Sequence, residues 1–299
     1  MKQKIIRVGT RDSALALIQT KIVIDAITRH HPEISVELVT MKTTGDKILD
    51  RTLDKVGGKG LFVKELDEAL LSGEADITVH SYKDMPMEIN PHLPVVALSA
   101  REDPRDVLIL REDGTFPDGP IGSASSRRQL QLKALFPERE VVPVRGNVQT
   151  RLHKLENGEC SALVLAAAGI RRLGLDNRIS RVFSVDEIIP AAAQGIIAVQ
   201  GRFGEDHSYL DGFSSEDSCF AALAERAFVR SLGGGCSAPT AAYASILTDG
   251  TLLLRGMHCA PDGTPVKGTI SGSKLQAEFL GKLLAHQLIK KIDPFRKGE

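Results

Sequence analysis

The chain has no surplus of charge of either sign. Across 299 residues, 38 Lys and Arg balance 38 Asp and Glu, which argues against a nucleic-acid binder or a surface that hugs anionic lipid. It has no run of about 20 apolar residues that could span a membrane. Its first residues, Met1-Lys2-Gln3-Lys4-Ile5-Ile6, lack the apolar stretch and cleavage site of a signal peptide, so the expected location is cytoplasmic. Cysteine is scarce. Cys160, Cys219, Cys236 and Cys259 show no CxxC pairing and no histidine at zinc spacing, so free thiols and no structural metal are expected. No GxGxxG follows a strand and no Walker A segment occurs, which disfavours a dinucleotide or P-loop site. Solenoid repeats and low-complexity tracts are missing as well.

What is present reads as a soluble globular chain of about two domains, or three small ones, with ample core. Hydrophobic residues make up 42% and charged residues 25%, both ordinary values. Short β-rich runs alternate with helical runs through the first two-thirds. Strands are expected at 5–9, 36–41, 77–80, 95–98, 107–110, 141–144 and 162–166, and helices at 13–28, 62–71, 126–135 and 148–156. Such alternation predicts βαβ units and largely parallel sheets. The last third differs. A long helix over 215–232 precedes three strands at 240–247, 251–258 and 266–271, with Asp249-Gly250 and Asp262-Gly263 as turn signals that predict antiparallel pairing. A final helix over 274–292 closes an α+β unit.

Arginine is unevenly spread. Twelve of 21 arginines, but only two of 17 lysines, fall between Arg101 and Arg181, and arginine suits sites where carboxylates or phosphates are gripped by paired hydrogen bonds. Three strand-to-helix loops carry arginine: Gly9-Thr10-Arg11-Asp12-Ser13, Gly122-Ser123-Ala124-Ser125-Ser126-Arg127-Arg128 and Arg145-Gly146-Asn147-Val148-Gln149-Thr150-Arg151. Each alone is an ordinary helix cap. Together they predict a multi-pronged anion site, because ligands of open α/β sheets bind at strand carboxyl ends and helix N-termini attract anions.

Two further segments stand out. Gly233-Gly234-Gly235-Cys236-Ser237-Ala238-Pro239 surrounds a sulfur with residues that lack Cβ atoms, leaving room for close approach. In His80-Ser81-Tyr82-Lys83-Asp84-Met85-Pro86, a carboxylate lies at the end of a strand, where it could stabilise a cation or shuttle a proton. A turn with Asp as a cap is the structural alternative. The glycines of Val56-Gly57-Gly58-Lys59-Gly60-Leu61-Phe62 suggest a mobile loop bringing Lys59 to a cleft, or a plain connection. On these residues alone, an enzyme with Cys236 as nucleophile and His80 as its base and a non-catalytic carboxylate-binding protein both stay open.

Taken together and in order, these segments resemble the porphobilinogen deaminase (hydroxymethylbilane synthase) family. The resemblance rests on Thr10-Arg11-Asp12-Ser13, the run from Lys55 to Leu66, His80 to Pro86, Arg101 to Asp106, Arg127-Arg128-Gln129, Arg145-Gly146-Asn147, Gln194-Gly195 and Gly234-Gly235-Cys236. It covers nearly the whole chain. It implies three domains: two hinged periplasmic-binding-protein-like α/β lobes, 1–96 with 196–215 and 97–195, and a small α+β C-terminal domain, 216–299, with a three-stranded antiparallel sheet. It implies a monomeric cytoplasmic transferase that condenses four porphobilinogen molecules head to tail with loss of ammonia, then releases the linear tetrapyrrole by hydrolysis for the next enzyme of porphyrin and haem biosynthesis. The growing chain would stand on a dipyrromethane cofactor joined to Cys236 by a thioether, with no metal. Asp84 would be catalytic, and Ser81, Lys83, Ser123, Ser125, Arg127, Arg128 and Gly146 would bind cofactor. Arg11, Ser13, Arg145, Arg151, Arg172 and Gln194 would bind substrate, and Lys59 would belong to a lid loop.

The chain departs from the family pattern in two places. Gly122-Ser123-Ala124-Ser125-Ser126-Arg127-Arg128 stands where the family usually has Gly-Thr-Ser-Ser-Leu-Arg-Arg, losing a hydroxyl at Ala124 and an apolar packing residue at Ser126. Ala191-Ala192-Ala193-Gln194-Gly195 stands where Pro-Ala-Val-Gly-Gln-Gly is usual, losing the glycine before Gln194.

Overall fold

A computed structural model describes residues 4–47, 63–233 and 239–293. The chain divides into two compact units. The first comprises 1–102, 172–174 and 195–218, and the second 103–171, 175–194 and 219–299. Each is built on a five-stranded sheet, and the second also holds a three-stranded one.

In the first unit the strand order is Ser35–Met41, Ile5–Arg11, Ile77–Ser81, Ile197–Gly201 and Val95–Leu98. The first two ladders are parallel, with Ile5 opposite Ser35 and Val8 opposite Ile77. Ile197–Gly201 runs antiparallel to both of its neighbours. The expectation of largely parallel sheets is therefore corrected to mixed sheets, and the same holds in the second unit. There the order is Val141–Val142, Ile121–Gly122, Ala162–Ala166, Asp106–Ile109 and Arg181–Val182, with Asp106–Ile109 antiparallel to both neighbours. Strands joined through a packed helix must return in the same direction. Ile197–Gly201 and Asp106–Ile109 follow the points where the chain changes unit, so no such crossover dictates their direction. Ile197–Gly201 was not anticipated. Its sequence, Ile-Ala-Val-Gln-Gly, is buried throughout and shows no alternation to read.

Strand residues alternate between two apolar layers. In the second unit Leu163 and Leu165 pack with Leu152, Leu155 and Ile170 on one face, while Ala162 and Val164 pack with Leu132, Phe183 and Ile188 on the other. In the first, Ile6, Val8, Ile77 and Val79 meet Val23 and Ile27 of the helix Ala14–His30. That two-sided burial explains why these strands read as continuous apolar runs.

The C-terminal sheet, Ala241–Ile246, Thr251–Cys259 and Pro265–Ser273, is antiparallel throughout, as expected. The helices Glu216–Ser231 and Ala277–Ile292 pack closely with it and with each other. A Cβ on Gly256 would lie 2.5 Å from the Phe228 ring, and one on Gly281 would collide with the carbonyl oxygen of Ala224. Gly256 thus sets a helix-to-sheet distance and Gly281 the distance between the two helices.

Candidate functional site

In the first unit the site gathers where strands end and helices begin. Arg11 is the last residue of Ile5–Arg11, and Ser13 caps the next helix, its Oγ accepting from the Ala16 N–H at 3.4 Å. The Ser13 hydroxyl, expected to bind substrate, is thus engaged as a cap. His80 and Ser81 end the neighbouring strand, and a single 3-10 turn, Tyr82–Asp84, follows. Ser81 Oγ accepts from Gln19 Nε2 at 2.9 Å. Arg11, Gln19, His80, Ser81, Asp84 and Met85 line one cavity. Asp84 itself is exposed. Met85 beneath it is 1% exposed and anchors the turn.

His80 is buried beneath this cavity, its Nε2 lying 2.9 Å from Thr78 Oγ1. Burial, with the nearby Arg11 charge, pulls its pKa down to about 4, against the opposing effect of the Gln200 side chain. The ring is neutral at ordinary pH. Arg172, counted with this unit, donates from Nη2 to the Gly195 carbonyl at 2.7 Å. Burial lowers its pKa, and the Glu102 carboxylate opposes the shift.

In the second unit Ser123 and Ser125 stand at the N-terminus of the helix Ser126–Leu135. Ser125 Oγ accepts from the Arg128 N–H at 3.5 Å, and Ser123 Oγ accepts from the Ser125 N–H at 3.4 Å. Arg127 and Arg128, only 4% and 5% exposed, flank Asp106, which is fully buried; each guanidinium reaches one carboxylate oxygen at 2.8 Å. Arg127 Nη1 also donates to the Ile189 carbonyl and Arg128 Nη1 to that of Val164. Burial alone would raise the Asp106 pKa. The two guanidinium charges and their hydrogen bonds outweigh it and hold the carboxyl well below the usual carboxylate range, while burial lowers the Arg127 pKa. Gln194 Nε2 completes the cluster, donating to Asp106 Oδ1 at 2.8 Å and to the Pro104 carbonyl at 2.6 Å.

Asp106 is the residue that sequence reasoning missed. It was visible within Arg101–Asp106 but had no role, because its partners lie 21, 22 and 88 positions away. A charged residue opening an otherwise apolar strand, Asp-Val-Leu-Ile, was the available signal. The third loop also forms as a cap. Gly146 has φ 115°, its carbonyl accepts from Arg151 Nε at 2.7 Å, and Asn147 Oδ1 caps the helix Val148–Glu156 through the Thr150 N–H. Arg145 is half-buried. Lys83 sits in the Tyr82–Asp84 turn. Lys59 and Cys236 lie outside the described residues, so the lid-loop and attachment assignments rest on sequence. Among the described residues no group of three or more metal-ligating side chains gathers, and no helix is long and apolar enough to cross a membrane.

The donors at the head of Ser126–Leu135 suit a carboxylate-bearing cofactor. Arg128 Nε is buried with no hydrogen-bond partner among the described residues, and an incoming acceptor would complete it. The hydroxyls of Ser123 and Ser125 stand at the N-terminus of the same helix, where N–H groups favour an anion.

These units define an α/β enzyme whose strand-end loops present arginine, serine and the exposed carboxylate of Asp84. A family model described as the porphobilinogen deaminase dipyromethane cofactor binding domain matches residues 6–209, and one for the porphobilinogen deaminase C-terminal domain matches 219–290. A curated porphobilinogen deaminase of Ruminiclostridium cellulolyticum is 60% identical over 296 residues, covering 98% of this chain and 99% of that protein. Those of Acetivibrio thermocellus and Alkaliphilus oremlandii are 56% and 55% identical, covering 96% and 95% of this chain and 99% and 96% of theirs. The chain belongs to the porphobilinogen deaminase family and is a transferase of tetrapyrrole biosynthesis with a dipyrromethane cofactor binding domain.

Proposed function

We propose that the chain condenses four porphobilinogen molecules head to tail, releasing ammonia at each step, and then frees the linear tetrapyrrole by hydrolysis. The observation that carries this reading is the cavity of the first unit, where one exposed carboxylate, Asp84, shares its walls with Arg11, Gln19, His80 and Ser81. A dipyrromethane cofactor, held through a thioether at Cys236, would supply the first unsubstituted pyrrole carbon, and each ring added would supply the next. The chain's own residues bind, orient and neutralise.

Porphobilinogen carries acetate and propionate groups, so each added ring brings two more carboxylates. Arg11, Arg145, Arg151 and Arg172 hold them through charge-assisted hydrogen bonds, with Ser13 as a neutral partner. Gln194, expected from sequence to bind substrate, is instead buried, with its amide nitrogen already donating to Asp106 and the Pro104 carbonyl. Arg127, Arg128, Lys83, Ser81, Ser123, Ser125 and the Gly146 backbone hold the carboxylates of the cofactor. Departure of ammonia leaves a cationic azafulvene on the substrate. Asp84 stabilises that cation and takes the proton that the attacking ring loses from its α-carbon as it regains aromaticity. His80, neutral below the cavity, adds no cation that would oppose this step.

In this reading the three-domain division 1–96 with 196–215, 97–195 and 216–299 holds, the product passes to the next enzyme, and the chain acts as a cytoplasmic monomer. Intact-protein mass spectrometry of the full chain tests the tether. A dipyrromethane adduct lost in Cys236→Ser supports it, and a fully active protein of unmodified mass overturns it.

A further inference from the structure

Within the second unit, residues 189–194 form neither helix nor strand, yet their polar groups are engaged on two sides. The Ile189 carbonyl accepts from Arg127 Nη1 at 2.7 Å and from Gln131 Nε2 at 3.1 Å, and the Ile189 N–H donates to Gln131 Oε1 at 2.9 Å. These partners lie on the helix Ser126–Leu135. The next residue turns toward the C-terminal sheet. The Pro190 carbonyl accepts from the Ala242 N–H at 3.1 Å, and Ile189 packs with Ala241 and Met257.

The alternation continues to the end of the segment. The Ala193 N–H donates to Glu225 Oε2 at 2.6 Å, and Oε1 of that carboxylate accepts from the Ala244 N–H at 2.7 Å. Gln194 then turns back. Its Nε2 donates at 2.8 Å to Asp106 Oδ1, the oxygen that Arg128 Nη2 also reaches at 2.8 Å. Glu225, Gln194 and Asp106 are all fully buried, so bulk water does not replace a bond lost among them.

Ala193 carries the argument from one side to the other. Its φ is 61°, a conformation unfavourable for a residue with a Cβ. Released from Glu225, it would relax to the ordinary region of negative φ, a rotation of about 120° in the residue next to Gln194. The Gln194 amide would then no longer point at Asp106.

We propose that Glu225 is a positioning residue for the cofactor-binding arginines: by holding Ala193 it aims Gln194 at Asp106, and Asp106 in turn fixes the guanidinium groups of Arg127 and Arg128. Glu225 acts only through this chain of contacts. It lies on the helix Glu216–Ser231, which precedes Cys236 in the sequence. The strap at 189–194 therefore ties the helix that grips the cofactor's carboxylates to the part of the chain that carries its tether. The proposal rests on the assignment of Arg127 and Arg128 to the cofactor.

The test is NMR hydrogen exchange at the arginine side-chain N–H groups of the full chain, in wild type and in Glu225→Gln. Exchange at Arg127 and Arg128 should quicken about tenfold or more in the variant. Leu155→Ala truncates the core on the other face of the sheet and destabilises by cavity formation; there the two arginines should exchange near the wild-type rate. Adding Ala193→Gly to Glu225→Gln should slow the exchange again, because glycine adopts positive φ without help.

Wild-type exchange in Glu225→Gln overturns the proposal. So does equal quickening in Leu155→Ala, which would mean a general loss of stability, or a double variant as fast as Glu225→Gln. Should Glu225→Gln not fold, Glu225→Asp takes its place with the same outcomes, since its shorter carboxylate cannot span both N–H groups. Exchange reports on the guanidinium groups and not on what they bind. A failure here is thus distinct from a failure of the cofactor assignment, which the adduct mass decides.

Discussion

Glu225 holds Ala193 in a left-handed conformation. The Ala193 N–H donates to Glu225 Oε2 at 2.6 Å, while Oε1 of the same fully buried carboxylate accepts from the Ala244 N–H at 2.7 Å. Ala193 has φ 61° and is the one non-glycine residue with positive φ among those described. It stands where the family pattern has glycine, so the loop keeps the glycine conformation without the glycine.

Ala193→Gly should therefore stabilise the protein. An L-residue in the left-handed region costs about 1 kcal/mol or more relative to glycine, partly offset by the freedom glycine adds to the unfolded chain. A gain of roughly 0.5–1 kcal/mol is expected in chemical denaturation. An unchanged or lower stability would show that the conformation is not strained.

Glu225→Gln presents an amide N–H₂ to one of the two backbone donors. With one buried N–H left unpaired, the expected loss is about 1–3 kcal/mol. The same denaturation measurement checks it, and the double variant with Ala193→Gly should depart from additivity because the two residues are in contact.

Asp106→Asn leaves two buried guanidinium groups without their shared anion. Breaking such a cluster from one side costs roughly 3–5 kcal/mol at neutral pH. The pH dependence has a definite sign. A carboxyl with a depressed folded pKa stabilises the protein above its unfolded value of about 3.9, and the benefit is lost as pH falls through the folded value. The gap between wild type and Asp106→Asn should be widest near pH 7 and narrow below about pH 4. A gap independent of pH would mean that lost packing, not charge, is responsible.

Asp84→Asn should leave the fold untouched, because the side chain is exposed in its turn. Turnover should fall by about 100-fold or more, the usual scale for a general acid–base or charge-stabilising group. An unchanged melting temperature with near wild-type turnover would remove Asp84 from the chemistry.

Gly281→Ala tests the packing of the C-terminal helices. Its Cβ would strike the Ala224 carbonyl oxygen, a backbone atom that cannot swing aside. A destabilisation of about 1–3 kcal/mol is expected, whereas Gly250→Ala, with nothing within 4 Å of the new Cβ, should show only the cost of its φ of 80°.

Much of the local structure was legible in the chain. Val95–Leu98, Ala162–Ala166, Ser126–Leu135 and Val148–Glu156 form where their patterns predicted, because two have cap residues at their starts, Ser125 and Asn147, and two are compact apolar runs. The C-terminal meander was legible through its Asp-Gly turns. Two of the three arginine loops close on caps formed by Ser125 and Asn147, and the first on Ser13.

Tertiary structure decided what depends on residues far apart in the chain. By itself the sequence determined the longer helices, most strands and the family to which the chain belongs, since these depend on spacing and residue type within short segments. The short helix Ala167–Arg172 was not anticipated, and the turn that carries Asp84 was one of two readings left open. The antiparallel insertion of Ile197–Gly201, the pairing of Asp106 with Arg127, Arg128 and Gln194, and the hold of Glu225 on Ala193 all join distant segments. Burial and opposed charge are properties of that assembled neighbourhood. They turn an ordinary Asp into the anchor of two arginines.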